Sequence, residues 1–566
     1  MSLQHQSLRG AGFAPLLEAQ RFYVRSSRTR SRFGLMVPEA FVRGIRDLGY
    51  RSNGDALAEL IDNSLQAYAD RIDVLFGYES STSNKKPLQL AILDNGHGME
   101  PDMIRMAVMW GGTHRENDRG GLGRYGYGLP CSSVSLGRRF TVMSQVSGGG
   151  LHAVRLDLDD ITAGKYTDRA GDIIVPAPQP TDLPPFVSNH IASTFPDGWA
   201  SGTIILIEKL DRLEWTTTQG LRDNLCRHFG VAYHKLCGEA ALYVDGQFVK
   251  PIDPLFLTPE FHLHDLDDDR AHPFDPVHVE VRDPDTGRYL GAMTLRYAWM
   301  PPSFGSVDKD RDAVGLNANA RFSILKDYHG IIFSRNGRLI DVQTRTPWTT
   351  FINNDRYIKV EIEFSATLDE AFGVTTSKQQ TTVSTLIWDL LREAGLPKAI
   401  EQLRNKVKEA KALRRMKGLA PEPGQRRLSE RASDMVNVEH SNPQRNTALL
   451  ASLYRVEFEY KPEQSFFRIG RGQGARILHL NTAHRFIEEM YESAVSTAEM
   501  RTALEILLFS LGDVMLDGAE EAQACNALQL LSWSRRLDRA LQTLSEHLGS
   551  SDEQDIGQPA WPNGRA

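Results

Sequence analysis

Apolar positions in the first third of the chain follow two different periods. In DALAELIDNSLQAYA, Leu57, Leu60, Ile61, Leu65 and Tyr68 recur at three- and four-residue steps, which predicts a long amphipathic helix with Asp55 as its N-cap. RIDVLFGY and LQLAILDNG are apolar runs of strand length, the second cut short by a glycine turn. A helix is expected from Pro101 to Trp110, and GGTHRENDRGGLGRYGYGLP then carries too much glycine and charge for a packed element, so it reads as a loop. SSVSLG follows as a helix, RRFTVMSQVSGG and LHAVRLDLDD as strands, and SGTIILIEKLD as a buried strand. Helices and mostly antiparallel strands in this order predict a two-layer α/β sandwich over residues 36–215.

Between residues 216 and 395 the pattern changes to strand pairs on turns: ALYVDGQFVKP, EVRDPDTGRYLGAMTLRYAW and GIIFSRNGRLIDV, with Arg335 and Arg338 placed on the surface. This second α/β domain closes with YIKVEIEFSA, the loop GVTTSKQQT and the amphipathic helix TLIWDLLREAG. Residues 396–445 combine helical propensity with proline, glycine and an excess of Lys and Arg, and read as a basic helical linker. Residues 446–550 are mainly helical, with Leu504, Leu507, Leu508 and Leu511 assigned to one face and Leu537, Leu541, Leu544 and Leu548 to another. Residues 551–566 read as a disordered tail.

At 566 residues the chain exceeds what one hydrophobic core organises, in keeping with several domains. An apolar content of 41%, 24% charged residues and a mean hydropathy of -0.36 are ordinary for soluble proteins and give no sign of a membrane class. With no run of 18 apolar residues and no secretory pattern at the start, a cytoplasmic location and no membrane partner are expected. Cys131, Cys226, Cys237 and Cys525 lack metal-ligand spacing and are expected to be reduced. His479 and His484 lack an accompanying ligand cluster and read as structural. The net charge of -7 excludes a uniformly basic nucleic-acid coat but not local patches. Arg21, Arg25, Arg28, Arg30 and Arg32 make residues 1–35 a basic arm.

Four groups carry candidate chemistry. Glu59 and Asn63, four apart on one helix, project from the same face. A carboxylate there could deprotonate the water that attacks a γ-phosphate, and the amide oxygen suits magnesium. A solvated polar face would show the same spacing. Asp94 ends an apolar strand ahead of Gly96 and Gly98, where it could accept the exocyclic amine of adenine or simply cap the turn. Gly123, Gly126 and Gly128 leave backbone N–H groups free to surround phosphate oxygens, or form a flexible loop. Thr203 could reach the adenine or its water, or serve as a good strand former.

The order helix E-x-x-x-N, strand D-x-G-x-G, glycine-rich lid and G-T strand, over about residues 40 to 210, resembles the four sequence boxes of the GHKL superfamily. That superfamily comprises gyrase-type topoisomerases, ninety-kilodalton heat-shock chaperones, histidine kinases, MutL and MORC proteins. RDLGYRSNGDALAELIDNSLQAYA and GRYGYGLPCSSVSLGRR look most like MORC-type ATPases and their prokaryotic relatives. The resemblance implies a Bergerat-type ATP-binding fold, a transducer-type α/β domain after it, and ATP bound with Mg2+. It makes Glu59 the general base, Asn63 the metal ligand and Asp94 the adenine-recognising acid, with Gly96, Gly98, Met99 and Thr203 around the nucleotide. Gly123, Arg124, Tyr125, Gly126, Tyr127, Gly128 and Leu129 belong to a lid running from Gly111 to Gly128 and into the next helix. Asp62 supports the helix or the water shell of the metal. SKQQ resembles the transducer element that returns a lysine to the γ-phosphate, which makes Lys378 the candidate, with a solvated loop lysine as the other reading.

The resemblance further implies a homodimer formed on ATP binding, with the N-terminal arm crossing to the partner and hydrolysis reopening the clamp. The expected partner is double-stranded DNA bound without sequence specificity through the arm and residues 398–431. The alternatives are protein clients, or an effector protein recruited by the C-terminal helices. Genome defence or chromosome maintenance rests on the resemblance alone.

Overall fold

The computed structural model describes Phe22, Gly44, Arg46 and residues 50–78, 86–112, 126–169, 172–215, 217–309, 315–374, 381–419, 426–439, 453–472, 474–492, 496–516 and 519–552. The chain forms two compact units, residues 1–403 and 404–566. Residues 1–35 apart from Phe22, and the tail beyond 552, lie outside the described residues.

The first unit begins with α1 (Asn53–Gln66), whose N-cap is Ser52 rather than Asp55. Ser52 has extended backbone, and its Oγ accepts from Asp55 N at 3.1 Å while lying 2.9 Å from Asp55 Oδ2. Asp55 instead occupies the first turn, where its charge favours the positive end of the helix dipole. Next come β1 (Arg71–Gly77), β2 (Gln89–Asp94) and α2 (Pro101–Ala107), the helix ending three residues before Trp110. Then follow α3 (Gly128–Leu136), β3 (Gly137–Gln145), β4 (His152–Asp157), α4 (Leu158–Thr162), β5 (Gln179–Pro180), α5 (Pro185–Thr194) and β6 (Gly202–Leu210). The first lobe is completed by α6 (Thr218–Ala232), β7 (Ala241–Val244) and β8 (Gln247–Phe248).

These strands form one sheet in the order β5-β4-β3-β6-β2-β1-β7-β8, antiparallel apart from the β1–β7 pair. Leu57, Leu60, Ile61, Val134, Leu225 and Phe229 of α1, α3 and α6 pack with Val74, Ile92, Val142 and Ile205 on one face. Leu75, Leu93, Met143 and Ile204 point the other way, beneath Val187 of α5 and Trp199. Burial on both faces explains why the central strands read as unbroken apolar runs rather than as alternations. The hairpin ALYVDGQFVK, grouped by its turn pattern with the second region, joins this first sheet through β7. Asp245 and Gly246, at φ 48° and 79°, make its turn.

The second lobe of this unit contains β9 (His272–Arg282), β10 (Tyr289–Trp299), α7 (Ala320–Asp327), β11 (Ile331–Arg335), β12 (Arg338–Gln343) and β13 (Ile358–Phe364), in the sheet order β12-β11-β13-β10-β9. Asn336 and Gly337, with φ 47° and 82°, reverse the chain between β11 and β12. Arg335 and Arg338, expected on the surface, are each 4% exposed. Arg335 is buried because Asp369 takes its guanidinium in two hydrogen bonds of 2.6 and 2.7 Å. The helices α8 (Thr385–Glu393) and α9 (Leu396–Leu419) follow, α9 running across the division between the units.

The second unit continues with α10 (Leu428–Glu439), β14 (Leu453–Glu459), β15 (Phe467–Gly472), β16 (Ala475–Asn481), α11 (Ala498–Leu516) and α12 (Glu520–Asp552). Its three strands pair in the order β14-β16-β15, so LHLN is strand. The proposed single leucine face on α11 splits, because Leu508 is buried while Leu507 and Leu511 are exposed. Leu544 of α12 is likewise exposed, whereas Leu537 packs on the core. His484 is buried, accepting from Phe486 N through Nδ1 while its Nε2 lies 2.9 Å from Ser534 O, so its role is to pack.

Candidate active site

Asp94 stands at the C-terminal end of β2, next to the start of β6, because β2 and β6 are sheet neighbours. Its Oδ1 accepts from Gly96 N at 2.9 Å and Thr203 N at 3.1 Å, and its Oδ2 accepts from Ser64 Oγ at 2.9 Å. Burial raises the Asp94 carboxyl above its ordinary value, against these three hydrogen bonds, which favour the ionised form. One Oδ2 lone pair is left for a donor of purine-amine type. The Trp199 indole donates to Asp94 O at 2.9 Å, and Ser144 Oγ meets Met99 N, Gly202 O and Thr203 Oγ1 at 2.9, 2.7 and 3.0 Å. Sequence reasoning missed Ser64, Ser144 and Trp199. Only Ser64 left a signal, as the residue after Asn63 on the helix.

The glycines here act on the protein's own backbone. A Cβ at Gly96 would lie 2.6 Å from Ala67 O, one at Gly98 1.9 Å from Gln145 O, and one at Gly202 2.0 Å from Asp94 O. Gly98 also has φ +71°, a left-handed conformation that glycine adopts without strain. These residues let the ends of β2, β3, β6 and α1 converge on the acid.

Glu59 is buried, and Asn63, one turn further along α1, is half-buried. The Asn63 amide makes no side-chain hydrogen bond among the described residues. A Cβ at Gly128 would come 2.7 Å from Glu59 Oε2, so glycine lets the start of α3 close on the carboxylate. Tyr50, its OH 3.5 Å from Gly128 O, and Cys131 of α3 complete the surroundings. Burial and then the Glu59 charge push the Tyr50 phenol up, and burial carries the Cys131 thiol to about 11 with Glu59 contributing less. Neither residue was a candidate from the sequence, since neither type is diagnostic alone.

Asp62 lies between these two residues in sequence but faces away from them. It is 0% exposed, bonded by the Tyr233 hydroxyl at 2.8 Å and paired with Arg338 Nε of β12 at 2.8 Å. Burial lowers the basicity of Arg338, but the Asp62 charge together with Tyr233 and Glu59 more than offsets this and its pKa is raised. Asp62, expected to support the helix or the water shell of the metal, ties the helix to the second lobe through an ion pair, which explains the burial of Arg338.

At the lid's ends, Gly111 N donates to Gly126 O at 3.1 Å, and Gly126 has φ +68°. Leu129 packs on the core and Tyr127 is exposed. Gly123, Arg124, Tyr125 and Lys378 lie outside the described residues.

A buried acid at a strand end, a carboxylate and an amide one turn apart, and a helix beginning over the carboxylate all lie within a segment that matches an ATPase domain of the GHKL class. Residues 50–181 match the family described as histidine kinase-, DNA gyrase B- and HSP90-like ATPase. The chain is similar to ATPase MORC2B of Mus musculus, 36% identical over 91 residues, which cover 16% of this chain and 9% of that protein. It is 35% identical over 96 residues to Protein MICRORCHIDIA 5 of Arabidopsis thaliana, covering 16% of this chain and 13% of that one. It is 33% identical over 91 residues to ATPase MORC2 of Homo sapiens, covering 16% and 9%. The matched part thus spans about a tenth of the length of these curated relatives. No described helix is long and apolar enough to cross a membrane.

Proposed function

We propose that this protein hydrolyses ATP with magnesium, dimerises when ATP binds, and acts as a molecular clamp on DNA. The observation that carries the reading is the convergence of three functional side chains on α1: Glu59 and Asn63 within it, and Asp94 bonded to its Ser64. The donor set fits the nucleotide. Asp94 keeps an acceptor for the adenine amine, Asn63 offers a hard oxygen to the metal, and Glu59 lies where α3 begins. Magnesium, when bound, neutralises charge on the phosphate oxygens. Glu59 orients the attacking water and takes its proton at the carboxylate. The N–H groups at the start of α3 are placed to hold phosphate oxygens.

The domain arrangement behind this clamp is an ATPase domain followed by a transducer-type domain, a basic helical linker and a C-terminal domain. Lys378 is assigned to the γ-phosphate. For DNA, Lys398, Lys406 and Lys408 on α9 are exposed, whereas Arg426 and Arg427 are engaged by Asp434 and Glu505. The DNA-facing charge is therefore assigned to α9 and the N-terminal arm. Genome defence or chromosome maintenance is the setting suggested by resemblance.

The test is addition of a non-hydrolysable ATP analogue, with mass measured by light scattering and DNA retention measured at high salt. A dimer that keeps circular DNA but releases linear DNA is expected. Absence of magnesium-dependent adenine-nucleotide binding would end the reading, and stimulation of hydrolysis by unfolded protein but not by DNA would replace the DNA partner.

A further inference from the structure

The edge strand of the second lobe makes two charged contacts here, one to the helix carrying Glu59 and Asn63 and one to the residue just before its N-cap. At the middle of α1, Arg338 Nε lies 2.8 Å from Asp62 Oδ1, with side-chain exposures of 5% and 0%. The same pair is fixed from the side by Tyr233, whose OH lies 2.8 Å from both Asp62 Oδ1 and Ala58 O and whose ring centroid is 5.7 Å from the Arg338 guanidinium. Just before α1 begins, Arg51 Nη1 lies 3.0 Å from Asp341 Oδ1. Asp341 is itself held, its Oδ2 accepting from Thr381 N at 3.0 Å, Thr381 Oγ1 at 3.1 Å and Gln343 Nε2 at 3.1 Å.

Arg338 and Asp341 are three residues apart, which in a regular strand would turn them to opposite faces. The β11–β12 register shows why they do not: Ser334 pairs with Leu339 and Phe333 with Asp341, so Ile340 is an extra residue in β12. A bulge of this kind re-aims the side chains beyond it. Here it brings both charges to bear on the region of α1, one on the helix and one on the residue before its N-cap. Added to the apolar packing of α1, the two contacts fix the helix at Asp62 and the segment that enters it at Arg51.

We propose that Arg338 and Asp341 are positioning residues for hydrolysis, acting through Asp62 and Arg51 to hold Glu59 and Asn63 in register for reaction. This rests on the ATPase reading above. Neither residue is among those assigned to the nucleotide. Each sets where the α1 side chains stand, and a small misplacement of such groups is costly to rate while leaving a remote base pocket intact.

The test uses two variants of the full chain. Arg51→Gln removes the half-exposed partner and leaves Asp341 its four other hydrogen bonds, from Val342 N, Gln343 Nε2, Thr381 N and Thr381 Oγ1. Asp62→Asn with Arg338→Gln removes both buried charges together, so that neither is stranded. Each should lower kcat about tenfold or more while ATP-analogue affinity changes by less than about twofold. In the nucleotide-free protein, amide exchange across α1 should quicken without loss of cooperative unfolding. Folded variants with unaltered kcat and unaltered exchange would overturn the proposal, as would a loss of affinity in proportion to kcat, which marks a general binding defect. Failure of the unaltered protein to hydrolyse ATP would instead sink the ATPase reading itself.

Discussion

Ser64 on α1 donates to Asp94 Oδ2 on β2 at 2.9 Å, joining the helix of the proposed water-activating carboxylate to the proposed base-recognising acid. The residue next to Asn63 therefore tunes the acid thirty positions away. Burial raises the Asp94 pKa, and the Ser64 hydrogen bond works against that rise by favouring the carboxylate. Only the ionised form can accept from an adenine amine while it holds Gly96, Thr203 and Ser64. Adenine-nucleotide affinity should thus fall as pH is lowered through the raised Asp94 pKa. In Ser64→Ala the fall should begin at a higher pH, because a favourable contact to the charged form is gone. Asp94→Asn should weaken binding about tenfold or more at neutral pH, the scale of a hydrogen bond to a charged group. Titration calorimetry across pH checks all three, and pH-independent affinity in the unaltered protein would reject the assignment.

Glu59→Gln keeps the shape against Gly128 and removes the base. Hydrolysis should fall by about 100-fold or more, with analogue affinity retained and the ATP-bound dimer persisting. Single-turnover hydrolysis together with light scattering reads both quantities. A rate within twofold of the unaltered protein would remove Glu59 from the chemistry.

The helix proposed to carry the chemistry was legible because its apolar period and the Glu59–Asn63 spacing are both local properties. Asp94 was legible for the same reason, as the end of an apolar run. What sequence reasoning missed was set by distant partners. Arg338 looked like a surface residue because its burial depends on Asp62, which is remote in sequence and reached only once β12 packs on α1. The hairpin Ala241–Phe248 was recognisable by its Asp-Gly turn, but nothing within it states that β7 would add beside β1 in the first sheet. In the second unit, LHLN was passed over as strand because its pairing with Leu453–Glu459 and Phe467–Gly472 is also non-local.

Two glycines with similar backbones separate crowding from conformation. Gly98 and Gly148 have φ +71° and +75°, but a Cβ at Gly98 would lie 1.9 Å from Gln145 O while one at Gly148 meets nothing within 4 Å. Gly148→Ala should cost about 1 kcal/mol, the strain of the left-handed conformation. Gly98→Ala should cost more than about 3 kcal/mol, because the segment after β2 and the end of β3 at Gln145 must part. It should also reduce nucleotide binding, because the backbone beside Asp94 moves with them. Chemical unfolding of both variants tests the contrast, and equal losses would show that the close approach is relaxed at no cost.

Lys359 is the clearest case of a charge held where solvent cannot reach it. It is fully buried in β13, and its ammonium donates to Tyr328 O at 2.7 Å and Leu325 O at 3.1 Å at the end of α7. Burial lowers its pKa from 10.5 to about 7, with Asp327 opposing the shift. Between those two values the unfolded chain carries a proton that the folded chain lacks, so this group makes stability rise with pH from about 7 towards 10.5. Below about 7 both states are protonated and the full penalty of burying the charge applies, on the order of 5 kcal/mol. Lys359→Met removes that penalty and the pH dependence, but also the donor to the α7 carbonyls. Relative to the unaltered protein, the variant should therefore do best near pH 6 and lose ground steadily towards pH 10, by several kcal/mol. Denaturant unfolding of both proteins at pH 6, 8 and 10 measures the difference, and a gap that does not change with pH would mean that Lys359 keeps its proton in the fold.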